Sequence, residues 1–147
     1  PAATADTGQP HIIRTGEHPA TQLSPPDWRS TSVSTQKFTE FIKDSGGCLV
    51  SRNIIDGRGH VTWARREKSV NPVDNGWRIL SDADTDDFLN TPGNLVVASF
   101  NSIANIEPAL IGIDTLPVGT DLQLVVHNGH RRWYDNTTGQ DITDQLL

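Results

Sequence analysis

Near its C-terminal end the chain reads LQLVVHNGHRRWYD, residues 122–135, and this stretch leaves the backbone few choices. Asn128 and Gly129 lie between two β-rich runs. Both central positions of a type I′ turn need positive φ, which asparagine and glycine accept at least cost. The stretch therefore predicts a tight antiparallel hairpin, with His127 and His130 facing each other across it. A lone hairpin is marginal in water, so further strands and helices must cover one of its faces.

Those elements can be read upstream. CLVSRNII (48–55) has the composition of a strand and DGRG (56–59) that of a turn. HVTWARRE (60–67) is a second strand, with Val61 and Trp63 on one face and His60 outward. The loop KSVNPVDN leads into a third strand, GWRILS (76–81). DADTDDFLN (82–90) then predicts a helix, broken by Pro92 and Gly93. NLVVASF (94–100) is a continuous apolar run of strand length and is expected as a central strand. NSIANI (101–106) is one helical turn ahead of Pro108, and ALIGI (109–113) is too short to assign. Nearer the start, STQKFTEFIKDSGG (34–47) predicts a short amphipathic helix. Ser34 is its N-cap, and Phe38, Phe41 and Ile42 recur at i, i+3 and i+4. Adjacent strands look hairpin-linked, so the expected fold class is α+β: a mainly antiparallel sheet with a few short helices and a C-terminal β-hairpin.

Residues 1–33 have a different character, with Pro1, Pro10, Pro19, Pro25 and Pro26 among many threonines and serines and almost no apolar periodicity. They read as an extended leader, with Ile12, Ile13, Leu23 and Trp28 as candidate anchors. Residues 34–147 are then a single domain of ordinary size.

Charge and composition narrow the function. A net charge of −6 and a pI near 5.2 disfavour a phosphate backbone or an anionic membrane as partner, and suit a basic protein or a cation. Cys48 is the only cysteine, so no intrachain disulfide can form, a cysteine metal site is not expected, and the thiol reads as a small core residue. Trp63, Trp77 and Trp133 fall in strand patterns and are expected to be core or half-buried. The chain begins with Pro1 and contains no methionine, as removal of an initiator methionine or a tag would leave. It has neither a bilayer-spanning apolar run nor a signal-peptide pattern, and a cytoplasmic location is expected. There is no G-x-S-x-G elbow, no H-E-x-x-H, no phosphate-cradling loop and no recognisable pair of glutamates. No enzyme, cofactor or metal centre is expected.

The unusual stretch is SDADTDDF, which sets Asp82, Asp84, Asp86 and Asp87 within six residues. As a calcium loop it fails, because the glycine of the sixth position is Asp87 and the glutamate of the twelfth is Gly93. As a helix start it is well formed. Ser81 is a candidate N-cap, Asp84 sits three residues on as in a capping box, and the remaining carboxylates would meet the positive end of the dipole. That accounts for some of the aspartates but not for their number. Four neighbouring carboxylates repel one another unless a cation or a basic partner relieves them. A metal-binding or hydrolytic use of the cluster with His60 or the His127–His130 pair is the rival reading, although two histidines without a third ligand do not make a zinc site.

Around GWRILSDADTDDFLNTPGNLVVASFNSIANIEPALIGIDTLPVG (76–119), and with the upstream GGCLVSRNI and ARRE over roughly residues 46–135, the chain resembles a bacterial family once catalogued as a domain of unknown function and assigned to polymorphic-toxin systems as immunity family thirty-three. The family pattern runs G-W-R-x-x-S-G-D-E, an acidic stretch, N-P-x-N, N-T-I-A-N-x-x-P and P-x-G before a terminal hairpin. Gly76, Trp77, Arg78, Ser81, Asp84, Pro92, Asn94, Asn101, Asn105, Pro108, Pro117 and Gly119 match it. The glycine and glutamate of the family's S-G-D-E become Asp82 and Asp84, with Ala83 between, and the leader has no counterpart. The resemblance implies a non-catalytic immunity protein that occludes a cognate bacterial toxin. Asp82, Asp84, Asp86 and Asp87 are then the expected partner-binding residues, and a basic nuclease is the toxin class their charge suits.

Overall fold

The computed structural model describes residues 40–146. The leader and most of the helix expected over 34–47 lie outside the described residues. Residues 40–45, the described part of that stretch, form a turn rather than a helix, with Asp44 at φ 56°. The side chain of Asn101 holds this turn in place of helical hydrogen bonds. Its carbonyl oxygen accepts from the backbone N–H groups of Phe41 (2.9 Å) and Ile42 (3.0 Å), and its amide donates to Ile42 O (2.7 Å) and Ser45 Oγ (2.9 Å).

The chain then builds β1 (Gly47–Ser51), α1 (Arg52–Ile55), β2 (Val61–Arg66), β3 (Asp74–Ser81), α2 (Asp86–Leu89), β4 (Leu95–Ser99) and α3 (Phe100–Ile106). A 3₁₀ helix over Pro108–Ile113 leads to β5 (Asp121–His127) and β6 (His130–Asp135), and a second 3₁₀ turn spans Thr143–Leu146. The six strands form one sheet in the order β4-β1-β3-β2-β5-β6. Only β1 and β3 run parallel; the other described pairs are antiparallel, as an α+β sheet of this kind predicts. The hairpin is as expected, with Asn128 at φ 52°, Gly129 at φ 77° and His127 opposite His130.

Three elements differ from the sequence reading. The strand beginning at CLVS stops at Ser51, whose side chain caps α1 by accepting from Asn53 N–H at 3.1 Å, so RNII is a helical turn. NLVVASF supplies an edge strand, β4, while the interior of the sheet is taken by β1, β3, β2 and β5. An apolar run reports burial on both faces, which α3 and α2 provide at the edge, and not the number of strand neighbours. Val61 and Trp63 also part company. A bulge sets Val61 opposite Ser81 but Trp63 opposite Leu80, which turns them to opposite faces.

Each face has its own core. On one, Cys48, Val50, Val61, Ala64, Trp77, Ile79, Leu122, Leu124 and Trp133 pack with Phe100, Ile103 and Ala104 of α3 and with Leu110 and Ile113. On the other, Trp63, Leu80 and Leu95 close over Leu89 of α2. Full burial of a side chain such as Ile103 or Leu110 contributes about 1.5–3 kcal/mol. The two edges of the sheet end differently. Chain beyond β6 folds back on it through a Tyr134–Asp141 bridge, with Trp133 N–H donating to Thr143 Oγ1 at 2.7 Å. Among the described residues nothing pairs with the outer edge of β4.

Candidate functional site

The acidic segment begins where β3 ends. Ser81 is the last residue of that strand rather than the N-cap of a helix, yet the reciprocal contacts of a capping box do form. Asp84 Oδ2 accepts from Ser81 N–H at 2.7 Å, and Ser81 Oγ accepts from Ala83 N–H at 3.1 Å. The backbone then turns, and α2 starts three residues later with Thr85 as its cap, accepting from Phe88 N–H at 3.1 Å.

The four aspartates do not share one environment. Asp84 is buried, and its carboxylate accepts from Ser51 Oγ (2.6 Å), Asn53 Nδ2 (2.9 Å) and Ser81 Oγ (2.7 Å) as well as from Ser81 N–H. Charge-assisted bonds of this kind stabilise a buried carboxylate, which here has no ion-pair partner among the described residues. Asp84 therefore ties the end of β3 to the start of α1, and does not present its charge at the surface as the sequence reading expected. The chain must approach closely here: a Cβ on Gly59 would lie 2.7 Å from Ser81 Oγ.

Asp82, Asp86 and Asp87 are exposed. Asp82 accepts from His60 N–H at 2.9 Å and lies 3.3 Å from the His60 ring, closing the turn on β2. Asp86 and Asp87 occupy the first turn of α2, where unpaired N–H groups favour negative charge. Leu89, fully buried, fixes this short helix to the sheet, and Asn94 Nδ2 donates to Phe88 O at 2.9 Å. The exposed carboxylates are thus held on a rigid turn. The His127–His130 pair belongs to the β5–β6 hairpin at the far side of the sheet. Among the described residues, no three His, Cys, Asp or Glu side chains converge as a metal site would require.

A second polar system, not singled out in the sequence reading, lies at the other end of β3. Asp74 and Arg78 form a buried bidentate pair at 2.8 and 3.0 Å, and Arg78 Nε reaches Glu67 at 3.2 Å. Asp74 also accepts from the backbone N–H groups of Gly76 (2.7 Å) and Val70 (2.9 Å). Burial works to raise the Asp74 pKa, but Arg78 and these N–H donors outweigh it and hold the carboxyl below its ordinary value. The sequence reading ended the preceding loop at Asn75 and so left Asp74 outside the strand, where its pairing with Arg78 had no signal; in the structure β3 begins at Asp74 and a register shift separates the two.

Most residues of the pattern quoted above turn out to be internal supports. Gly76, at φ 91°, would bring a Cβ to 2.2 Å from Glu67 O. Trp77 is fully buried, with its indole N–H directed to Asp114 O at 3.3 Å and the Arg66 guanidinium 5.7 Å from its ring centre. Asn101 grips residues 41–45, and Asn105 Nδ2 donates to Asn101 O at 2.7 Å. Cys48 lies wholly inside the sheet, where burial pushes its thiol up to about 12.

By fold and by polar framework the chain is a small α+β domain whose conspicuous surface feature is a rigid acidic turn. A family model described as the immunity protein Imm33 domain matches residues 48–135, more than half of the chain, and the protein belongs to that family. No curated protein and no solved structure matches it.

Proposed function

We propose that this protein binds a cognate bacterial toxin and neutralises it by occlusion, without chemistry of its own. The family assignment carries the reading, and the acidic turn supports it. Asp82, Asp86 and Asp87 form the partner-facing charge, while Asp84 holds the turn in shape from beneath. With a net charge of −6, a toxin with a basic cleft, such as a nuclease, is the partner class that the electrostatics suit. Complementary charge steers association and selects among partners more than it adds affinity. We place the encounter in the cytoplasm, where a delivered nuclease would act. No described helix is long and apolar enough to cross a membrane.

Calorimetry with the toxin encoded beside this gene, paired with survival of cells expressing that toxin, tests the proposal. Binding together with protection is the expected outcome. Absence of both would overturn it.

A further inference from the structure

We infer that the outer edge of β4 is where the partner docks, by adding an extended, basic segment as a seventh strand. This rests on the toxin-binding reading above and specifies its contact surface. The register shows which backbone groups are available. Gly47, Cys48, Leu49, Val50 and Ser51 pair without interruption against Ser99, Ala98, Val97, Val96 and Leu95. On either side of this ladder, Phe100 N–H donates to Gly46 O and Arg52 N–H to Asn94 O, at 2.9 and 2.8 Å. In an antiparallel ladder alternate residues face the partner strand, so positions 94, 96, 98 and 100 point toward β1. The N–H and C=O groups of Leu95 and Val97 then point outward, as does the Ser99 N–H.

Among the described residues the edge carries none of the usual protections. LVVAS has no lysine, proline or bulge, and Val96 and Val97 are half-buried β-branched residues suited to a strand neighbour. The opposite edge, β6, is charged and is covered by the chain that follows it. Charge selects the occupant. The segment leading into β4 is the acidic turn, and Leu89 of α2 packs on the sheet face that also carries Leu95. Val97 shares that face by alternation. α2, whose first turn carries Asp86 and Asp87, packs on the face of β4 through Leu89 and Leu95, so lysine or arginine side chains on that face are what an added strand should carry.

Amide hydrogen exchange on the full chain, free and bound to the catalytically inactive toxin from the adjacent gene, tests this. On binding, the Leu95 and Val97 amides should slow by at least about tenfold, because strand addition protects outward N–H groups. Val97→Pro removes an N–H that β1 does not use, so it should weaken binding by roughly 30-fold or more with β1–β4 pairing intact, whereas Val97→Thr should bind within about threefold of wild type. Charge reversal at Asp86 and Asp87 together should slow association about tenfold at low salt. Tight binding with unprotected Leu95 and Val97 amides, or with full affinity in V97P, overturns the edge assignment and leaves the immunity reading standing. A free protein that is dimeric through this edge, and monomeric as V97P, makes a second copy the occupant and equally overturns it. Wild-type protein that does not bind the toxin overturns the reading beneath. Should V97P fail to fold, the exchange comparison on wild-type protein decides alone.

Discussion

Asp74 and Asp84 are inside the molecule; Asp82, Asp86 and Asp87 are outside it, on the same short length of chain. The inner pair bind β3 at its two ends, one through a guanidinium and one through hydroxyl, amide and backbone donors. The outer three are held to the domain through α2, His60 and Leu89, and present charge to solvent. Arg78, Ser81 and Asp84, which belong to the family pattern, fall with the inner group. The pattern therefore describes how the domain is built.

That contrast can be broken experimentally, and the largest effect should come from the buried ion pair. Asp74→Ala leaves Arg78 charged and without its bidentate partner, and should cost about 3–5 kcal/mol in urea unfolding. Asp84→Ala strands the donors of Ser51, Asn53 and Ser81, and should cost about 2–3 kcal/mol by the same measurement. The acid limb offers a finer test. A carboxyl whose folded pKa lies below its unfolded value of 3.8 contributes stability that is present above that value and lost as pH falls through the lower one. The stability difference between wild type and Asp74→Asn should therefore shrink as pH falls below 3.8. Smallest of all, replacing Asp82, Asp86 and Asp87 by asparagine should move stability by no more than about 0.5 kcal/mol. Its effect should appear instead as slower, less salt-dependent association with the toxin. A large loss of stability in the triple variant would erase the distinction between inner and outer carboxylates.

The hairpin was legible because Asn128–Gly129 fixes its own turn, and β2 and β3 because their runs have strand length and are bounded by turn residues. The burial of Cys48, Trp77 and Trp133 followed from those patterns. What escaped depends on distant partners. RNII has the composition of a strand, and only the Ser51 cap turns it into a helix. Ser81 and Asp84 have capping-box spacing and make its hydrogen bonds, but the backbone goes on into a turn. Capping-box spacing from Ser81 singles out Asp84 within SDADTDDF but does not reveal its burial, because its other donors, Ser51 and Asn53, lie some thirty residues earlier. Position in the sheet was hidden for a similar reason: β4 has an interior composition because helices cover it, while β3 gained its central place from pairing on both sides.

The single thiol gives the molecule a built-in probe of its own opening. Cys48 sits in β1 between β4 and β3, with no exposed surface and a strongly suppressed thiolate. Its side chain lies on the sheet face covered by α3 and the 3₁₀ helix, so an alkylating reagent can reach it only when that cover lifts or the sheet opens. Where reclosing outpaces alkylation, the labelling rate divided by that of the unfolded chain gives the fraction of molecules open at that moment. Opening of the larger core can thus be timed in undenatured protein, without introducing a single substitution.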